Sequence, residues 1–260
     1  MIKKNKGRVT PAGVFLVDKP AGMTSFAVVA RVRRILDIKK VGHAGTLDPF
    51  ATGLLIVCVG RPATKMISRF MAGEKEYLAT LRLGVETETL DTEGKITKTT
   101  EVGILNGSDI EASLQRFRGV QMQAPPVYSA LKHKGKPLYY YARRGIEIKK
   151  EPREITVSTL ERIDDGKDLA GKEVDLQVRV VCSKGTYIRS LAADIGKDLG
   201  CGAHLVQLRR IRSGCFSIEE GCLTPEDLTA EDARKRFLRK MLSLEEVSKL
   251  LQYSNDLDTV

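Results

Sequence analysis

Tryptophan is absent from the sequence, and only 5% of its 260 residues are aromatic. Long apolar runs are missing as well. The longest is Leu54–Val59, far short of the roughly 20 residues that a membrane-spanning helix needs. The N-terminal stretch Met1–Arg8 is basic and has no apolar core of the kind that signal peptides carry. From these absences we expect a cytoplasmic protein that crosses no membrane.

Patterns typical of metal sites and disulfide frameworks are also missing. None of the five cysteines forms a Cys-x-x-Cys pair, and the three histidines lie far apart without zinc-ligand spacing. An odd, scattered set of cysteines argues against a disulfide framework. We therefore predict that the protein binds no metal.

Acidic residues are the minority among the charged residues. Lys and Arg number 43 against 33 Asp and Glu, so the formal net charge is +10 and the pI is near 9.4. This excess favours a polyanionic partner, which on charge alone is RNA, DNA or an anionic membrane surface. The hydrophobic content of 42% is ordinary for a globular protein, and 260 residues can form one large domain or two smaller ones.

One short stretch, Val41–Gly53, concentrates a histidine, an aspartate, a proline and three glycines. It lies between an amphipathic segment, Phe26–Ile38, and the apolar run Leu54–Val59, which reads as a buried strand. Loops held by rigid elements on both sides often carry catalytic residues. The same composition also suits a plain helix-to-strand turn, so both interpretations stay open at this point.

The remaining pattern predicts an α+β protein on a mixed sheet, because long strands and helices occur without a regular β-α-β rhythm. The predicted strands include Lys75–Gly84, Glu154–Asp164, Glu173–Cys182 and Ala203–Arg210. The predicted helices include Asp109–Phe117 with Ser108 as its cap, Tyr187–Leu199, Pro225–Lys240 and Ser243–Leu251.

The segment Ala124–Pro152 is strongly basic and rich in tyrosine. It holds seven Lys or Arg and four of the seven tyrosines, and its only acidic residues are Glu147 and Glu151. Cations can pair with phosphates while rings stack on bases, so this mixture suits a nucleic acid. A solvated loop whose tyrosines pack on the protein body has a similar composition.

Taken together, several motifs resemble the tRNA pseudouridine-55 synthases of the TruB type, in their bacterial form. The resemblance covers the chain from Phe15 to about Phe216, with Ala44 where many members have Thr. The matching motifs, in the family's order, are Val17–Ser25, Gly42–Pro49, Lys75–Tyr77, Thr87–Gly94, Pro125–Ala130, Cys182–Arg189 and Leu208–Arg210. Each motif is weak alone, but their order over about two hundred residues is specific, and it favours chemistry at Val41–Gly53.

The resemblance implies an isomerase with the pseudouridine-synthase fold, whose central sheet is mixed but largely antiparallel. Such an enzyme cleaves the uracil N1–C1′ bond, turns the base and rejoins it through C5, without a metal or other cofactor. Asp48 then acts as the nucleophile, as carboxylates do at sugar carbons. Whether it attacks C1′ or the uracil C6 stays open.

The family's other site residues map onto this sequence one by one. Arg189 matches the arginine that pairs with the nucleophile and keeps it ionised. Tyr77 matches the tyrosine that stacks on the target base, and His43 the histidine that fills the gap left by the flipped nucleotide. The resemblance further implies substrate-binding roles for Lys19, Asp91, Tyr187, Leu208, and, in the basic insertion, Lys132, Arg143 and Arg144.

These features predict a basic tail (1–10), a catalytic domain (11–223) with an RNA-binding insertion (124–152), and a short helical C-terminal extension (224–260). A full C-terminal RNA-binding domain, which many bacterial members carry, is expected to be missing. The predicted partner is the T-arm of tRNA, bound by a monomer without metal or membrane. The alternatives are an RNA-binding or tRNA-folding protein without essential catalysis, and a synthase acting on another RNA within a guide-RNA particle.

Overall fold

A computed structural model describes residues 12–218 and 221–257, so the predicted basic tail lies outside the described residues. The strands are β1 Gly13–Lys19, β2 Val41–Ala44, β3 Thr52–Val59, β4 Lys75–Leu83, β5 Val85–Thr87, β6 Ile96–Thr99, β7 Val102–Leu105, β8 Gly119–Gln123, β9 Lys132–His133, β10 Lys136–Pro137, β11 Arg153–Arg162, β12 Leu169–Gly171, β13 Val174–Cys182, β14 Ala203–Ser213 and β15 Phe216–Ser217. The helices are α1 Ser25–Leu36, α2 Gly60–Thr64, α3 Ile67–Phe70, α4 Gly107–Arg116, α5 Leu138–Ala142, α6 Ile188–Asp198, α7 Pro225–Thr229, α8 Ala233–Lys240 and α9 Leu244–Leu257.

The chain divides into two compact units. Unit 1 comprises residues 1–73 and 212–260, and unit 2 comprises residues 74–211. Each unit combines antiparallel strands with helices, and the predicted α+β class is confirmed. The predicted functional division at residues 223 and 224 stays a prediction.

In unit 1, β1 and β2 both pair antiparallel with the buried strand β3. Helix α1 begins where the Thr24 hydroxyl accepts a hydrogen bond from Ala27 N at 3.0 Å. Its valines and Leu36 recur at helical spacing and enter one apolar core. In that core Phe15 of β1 meets Phe237 of α8 edge to face, with ring centroids 5.2 Å apart. Two rigid elements, α1 and β3, therefore flank the loop between them.

In unit 2, the central strands lie in the order β14-β4-β13-β11-β8. The register of β13 on β4 runs from Val174 opposite Leu83 to Cys182 opposite Lys75. Helix α6 follows β13 after one turn. Gly196 of α6 approaches β14 so closely that a Cβ there would lie 2.3 Å from Ala203 N. The close packing of α6 on the sheet therefore requires a glycine at this position.

Two predicted boundaries are wrong. Helix α4 is capped by Asn106 rather than Ser108, because Asn106 and Asp109 bond each other's backbone N–H in a capping box. The single helix predicted over Pro225–Lys240 is two helices, since the chain is extended at Ala230 (ψ 148°).

A buried carboxylate, Asp227, ties α7 to α8. It receives hydrogen bonds from Lys240 Nζ (2.7 Å), Arg236 Nη1 (3.1 Å) and Thr224 N (3.1 Å). Burial alone would raise its pKa, but these bonds outweigh burial and lower the pKa to about 2. Because the folded state binds the proton more weakly than the unfolded chain, the carboxylate stabilises the fold above about pH 4, and this contribution is lost as the pH falls through about 2.

We therefore expect Asp227→Asn to lower the free energy of unfolding by about 2 kcal/mol at pH 7, and by roughly half of that at pH 3, where the carboxyl of the unfolded chain is mostly protonated. Urea unfolding at the two pH values measures both. The control is Asp232→Asn, which removes an exposed carboxylate paired with Arg236 and should cost less than about 1 kcal/mol. Equal stability of wild type and Asp227→Asn at pH 7 would contradict the assignment.

Candidate active site

The residue before Asp48 is clamped by a buried serine of α1. The Ser25 hydroxyl accepts a hydrogen bond from Leu47 N at 2.9 Å and donates one to Leu47 O at 3.0 Å. Ser25 is only 2% exposed, so water competes little for these bonds. The clamp holds the backbone on the N-terminal side of Asp48.

The residue after Asp48 is held by the β1–α1 connection. Pro49 O accepts hydrogen bonds from Gly22 N at 2.9 Å and from Lys19 Nζ at 3.1 Å. Lys19 is fully buried, and its ammonium also donates to Pro20 O (2.8 Å) and Met23 O (2.6 Å). These contacts make Lys19 a support of the loop; its predicted contact with RNA stays a prediction.

His43 and Asp48 lie at opposite ends of the same short connection. His43 belongs to β2, opposite Val57 of β3, and both His43 and Asp48 are half-buried. Gly45 turns the chain out of β2 with a φ of +83°, a backbone conformation that residues other than glycine rarely adopt. The loop therefore presents an imidazole from a strand and a carboxylate from a clamped turn.

In unit 2, Arg189 lies in the first turn of α6 and is 4% exposed. Its Nη1 is 3.1 Å from Asp91 Oδ2 and donates to Thr89 O at 2.8 Å. Its Nη2 donates to Tyr128 O at 2.8 Å. One guanidinium thus joins the loop 87–94 to the start of the basic insertion. Its predicted pairing with Asp48 stays a prediction.

Asp91 is the buried acceptor around which the loop 87–94 folds. It is 2% exposed, and its Oδ1 accepts hydrogen bonds from Glu93 N and from the Thr89 hydroxyl. The Thr87 hydroxyl donates to Asp91 O at 2.8 Å. These contacts give Asp91 a structural role as the partner of Arg189; its predicted contact with substrate stays a prediction.

Tyr77 and Leu208 are buried on β4 and β14, which neighbour each other in the sheet. Two residues before Tyr77, on the same face of β4, lies the buried Lys75. Burial, followed by the charge of Arg210, lowers the pKa of Lys75 to about 8. Arg210 is also buried. The sequence analysis predicted neither buried cation, although Lys75 and Arg210 both lie in motifs that carry the family resemblance. A lysine or arginine in a sequence gives no sign that it is buried.

The basic insertion contains the β9–β10 hairpin and α5, and Leu138 anchors it with 1% exposure. Arg144 stacks 3.6 Å from the centre of the Tyr140 ring, and Arg143 lies 5.5 Å from that of Tyr139. Lys132, Arg143 and Arg144 are all exposed. The insertion therefore displays cations and ring faces together on its surface.

A second basic surface lies in unit 1. A cavity of about 590 Å³ opens beside β2, and none of the described residues that line it carries a carboxylate. Its charged lining residues are Arg33, Lys39, Lys40, Arg61 and Lys65. Val41 and Gly42 form part of its wall and lead directly into His43. Such a surface attracts phosphate.

Within residues 12–218 and 221–257, no helix is long and apolar enough to span a membrane. Likewise, no three His, Cys, Asp or Glu side chains in the same residues are grouped as metal ligands would be.

Comparison with known proteins decides the family. A model of the TruB family pseudouridylate synthase N-terminal domain matches residues 33–188, and one of the tRNA pseudouridylate synthase B C-terminal domain matches residues 189–251. The tRNA pseudouridine synthase B of Desulfotalea psychrophila is 66% identical over 241 residues, which are 93% of this chain and 97% of that protein. The chain belongs to the TruB family of pseudouridylate synthases. The predicted family and class of enzyme are thus confirmed.

Other TruB-family relatives and solved structures agree with this membership. The tRNA pseudouridine synthase B of Chromobacterium violaceum is 48% identical over 85% of this chain and 69% of that protein. A chain in a Cbf5-Nop10-Gar1 complex has a TM-score of 0.67 at 32% identity, over 90% of this chain but only 60% of that chain. A chain in an H/ACA RNP bound to a substrate RNA containing 2′-deoxyuridine has a TM-score of 0.65 at 27% identity, over 95% of this chain and 68% of that chain. The predicted pseudouridine-synthase fold is confirmed.

The clamp around Asp48 generates a test that separates the two roles of Lys19. We expect Lys19→Met to reduce the single-turnover rate about tenfold or more, because a loosened loop misplaces the carboxylate, and to leave RNA affinity within about twofold of wild type. The matched control is Lys39→Met, in the wall of the basic cavity. It should weaken RNA binding and leave the single-turnover rate with saturating RNA close to that of wild type. Weakened RNA binding by Lys19→Met at an unchanged rate would instead support the direct contact.

The buried ion pair generates a stability prediction. Arg189→Ala leaves the Asp91 carboxylate buried without its guanidinium, so the free energy of unfolding should fall by about 3–5 kcal/mol. Urea unfolding measures this. Arg116→Ala is the control, since it breaks an exposed pair with Asp198 and should cost less than about 1 kcal/mol. Equal stability of the two variants would refute a stabilising role for the Arg189–Asp91 pair.

Proposed function

We propose that this TruB-family protein isomerises uridine to pseudouridine at position 55, in the T-loop of tRNA. The observation that carries the proposal is the 66% identity to a tRNA pseudouridine synthase B over 97% of that protein's length. The clamped loop around Asp48 supports the proposal, because it holds a carboxylate in a defined place.

In the proposed reaction Asp48 is the nucleophile, and it attacks either the sugar C1′ or the uracil C6. The N1–C1′ bond breaks, the base turns and a C5–C1′ bond forms. The proton on C5 leaves and N1 gains one, so no electrons enter or leave the substrate. A carboxylate suits this task because it stabilises positive charge developing on the sugar and can itself leave again.

Contacts within this chain hold the carboxylate of Asp48 in place. Ser25 and Lys19 fix the backbone on either side of Asp48, so little rearrangement is needed when the base arrives. In the proposed site Tyr77 stacks on the base and takes part in proton transfer, and Arg189 keeps the nucleophile ionised.

The substrate base must be extruded from the folded loop before its glycosidic bond can be reached, at a cost of a few kcal/mol. We assign His43 to the vacated gap, where its flat ring offsets part of that cost. Leu208 and Tyr187 complete the proposed pocket. The residues proposed to hold the RNA backbone and bases are Lys132, Arg143 and Arg144 of the insertion, together with the cations of the basic cavity.

We further propose that the protein acts as a monomer in the cytoplasm and binds the T-arm of tRNA. In this scheme residues 124–152 close over the RNA as the insertion of a catalytic domain 11–223.

A synthase for another RNA is the second candidate, favoured by the likeness to a chain of a Cbf5-Nop10-Gar1 complex and to a chain of an H/ACA RNP bound to a substrate RNA. The identity to those chains, 32% or less, is about half of that to the tRNA pseudouridine synthase B of Desulfotalea psychrophila. The tRNA assignment is therefore the stronger of the two.

In the deciding experiment, the protein is incubated either with unmodified tRNA or with a ribosomal RNA fragment. Each RNA carries tritium at uracil C5, and the release of tritium is measured. Wild type should release label from position 55 of the tRNA, and Asp48→Asn should release none, because an amide cannot act as the nucleophile. Asp37→Asn is the control, since it neutralises an exposed aspartate of unit 1 at the end of α1. Release from ribosomal RNA alone would favour the second candidate, and equal release by wild type and Asp48→Asn would overturn the nucleophile assignment.

A further inference from the structure

Gln123 stands where the basic insertion leaves the sheet. It is the last residue of β8, and its ladder partner is Arg153, the first residue of β11. The chain therefore departs at Gln123 and returns at Arg153, directly across one antiparallel pair. Gln123 and Arg153 therefore form the root of the insertion 124–152 on the sheet.

The side chain of Gln123 points away from that ladder and binds the backbone of Tyr187. Its Nε2 donates to Tyr187 O at 3.0 Å, and its Oε1 accepts from Tyr187 N at 2.8 Å. The residue is 7% exposed, so both bonds are largely shielded from water. This two-point contact reproduces a strand-like pairing between a side-chain amide and a peptide unit 64 residues away.

Tyr187 is the N-cap residue of α6, and its own side chain makes no capping bond. In a capping box, a side chain of the helix's own first turn bonds the N-cap N–H. Here the bond to the N-cap N–H comes from Gln123, at the end of strand β8 and not from the helix itself. Because Arg189 lies two residues further on, in the first turn of α6, a shift of Tyr187 moves the guanidinium with it.

A second contact connects the same two segments in the opposite direction. The Arg189 Nη2 group donates to Tyr128 O, five residues beyond Gln123 in the insertion. The stretch 123–128 is thus tied to the first turn of α6 at both of its ends, by Gln123 on Tyr187 and by Arg189 on Tyr128.

We propose that Gln123 is a positioning residue for the isomerisation. Through Tyr187 it fixes the place of Arg189 relative to the root of the insertion, so that the arginine is correctly set when the insertion holds RNA. The proposal rests on the role of Arg189 in the proposed function. Gln123 itself touches neither the substrate nor a reacting atom in this scheme.

The first test compares Gln123→Ala with Gln121→Ala. Gln121 is the matched control, because it lies on the same strand and its amide bonds Phe117 O rather than α6. With saturating tRNA, Gln123→Ala should lower the single-turnover rate about 10- to 100-fold while the dissociation constant for tRNA changes less than about threefold. Gln121→Ala should match wild type. A wild-type rate for Gln123→Ala, or a loss seen only as weaker tRNA binding, overturns the proposal.

The second test uses Gln123→Glu and keeps the proposal open to refutation if the alanine variant does not fold. A protonated carboxyl can both donate to Tyr187 O and accept from Tyr187 N, as the amide does, whereas the ionised form only accepts. The rate of Gln123→Glu relative to wild type should therefore rise as the pH falls from 8 towards 5. A relative rate that is flat over this range overturns the proposal. Wild type without any activity on tRNA would instead overturn the proposed function.

Discussion

Burial of the Arg189 guanidinium is the constraint on which the organisation of unit 2 depends. A charge that is only 4% exposed must be paired and hydrogen-bonded, or its desolvation is not offset. The structure meets this demand with the Asp91 carboxylate and with two carbonyls, those of Thr89 and Tyr128. Because these partners come from the loop 87–94 and from the start of the insertion, the contacts of one side chain hold both segments in place.

Buried side chains hold the loop around Asp48 in unit 1 in a similar way. Asp48 sits in a turn whose neighbours on both sides are held by buried donors and acceptors, namely the Ser25 hydroxyl and the Lys19 ammonium. Side-chain clamps of this kind allow a loop to be rigid without belonging to a helix or a strand. If Asp48 is the nucleophile, as proposed, such preorganisation lowers the barrier, because little reordering remains for the reaction step.

Much of the fold was predictable from local pattern. Helix α1 followed from apolar residues at helical spacing, and β3 from an unbroken apolar run. The limits of α4 and of the C-terminal helices were harder, because Asn106 and Ser108 are equally good caps in sequence and only the backbone geometry selects Asn106.

The candidate site was predictable only in part, and for a different reason. Motif order pointed to Asp48, Tyr77 and Arg189, but the supports of these residues come from far along the chain. Ser25 acts on Leu47 across 22 residues and Gln123 on Tyr187 across 64, and no local period records such pairs. The resemblance placed Lys19 among the substrate-binding residues, but no local pattern indicated that three backbone carbonyls accept hydrogen bonds from its ammonium inside the protein.

Amide hydrogen exchange in Arg189→Met tests most directly the claim that one buried guanidinium organises both segments. The account predicts that protection from exchange falls in both residues 87–94 and 123–131, and by more than in the ladder between β11 and β13. The reason is that opening either segment in wild type breaks contacts of the guanidinium, and in the variant this cost is gone. Unchanged protection in both segments, or a loss no larger than that in the ladder, would contradict it.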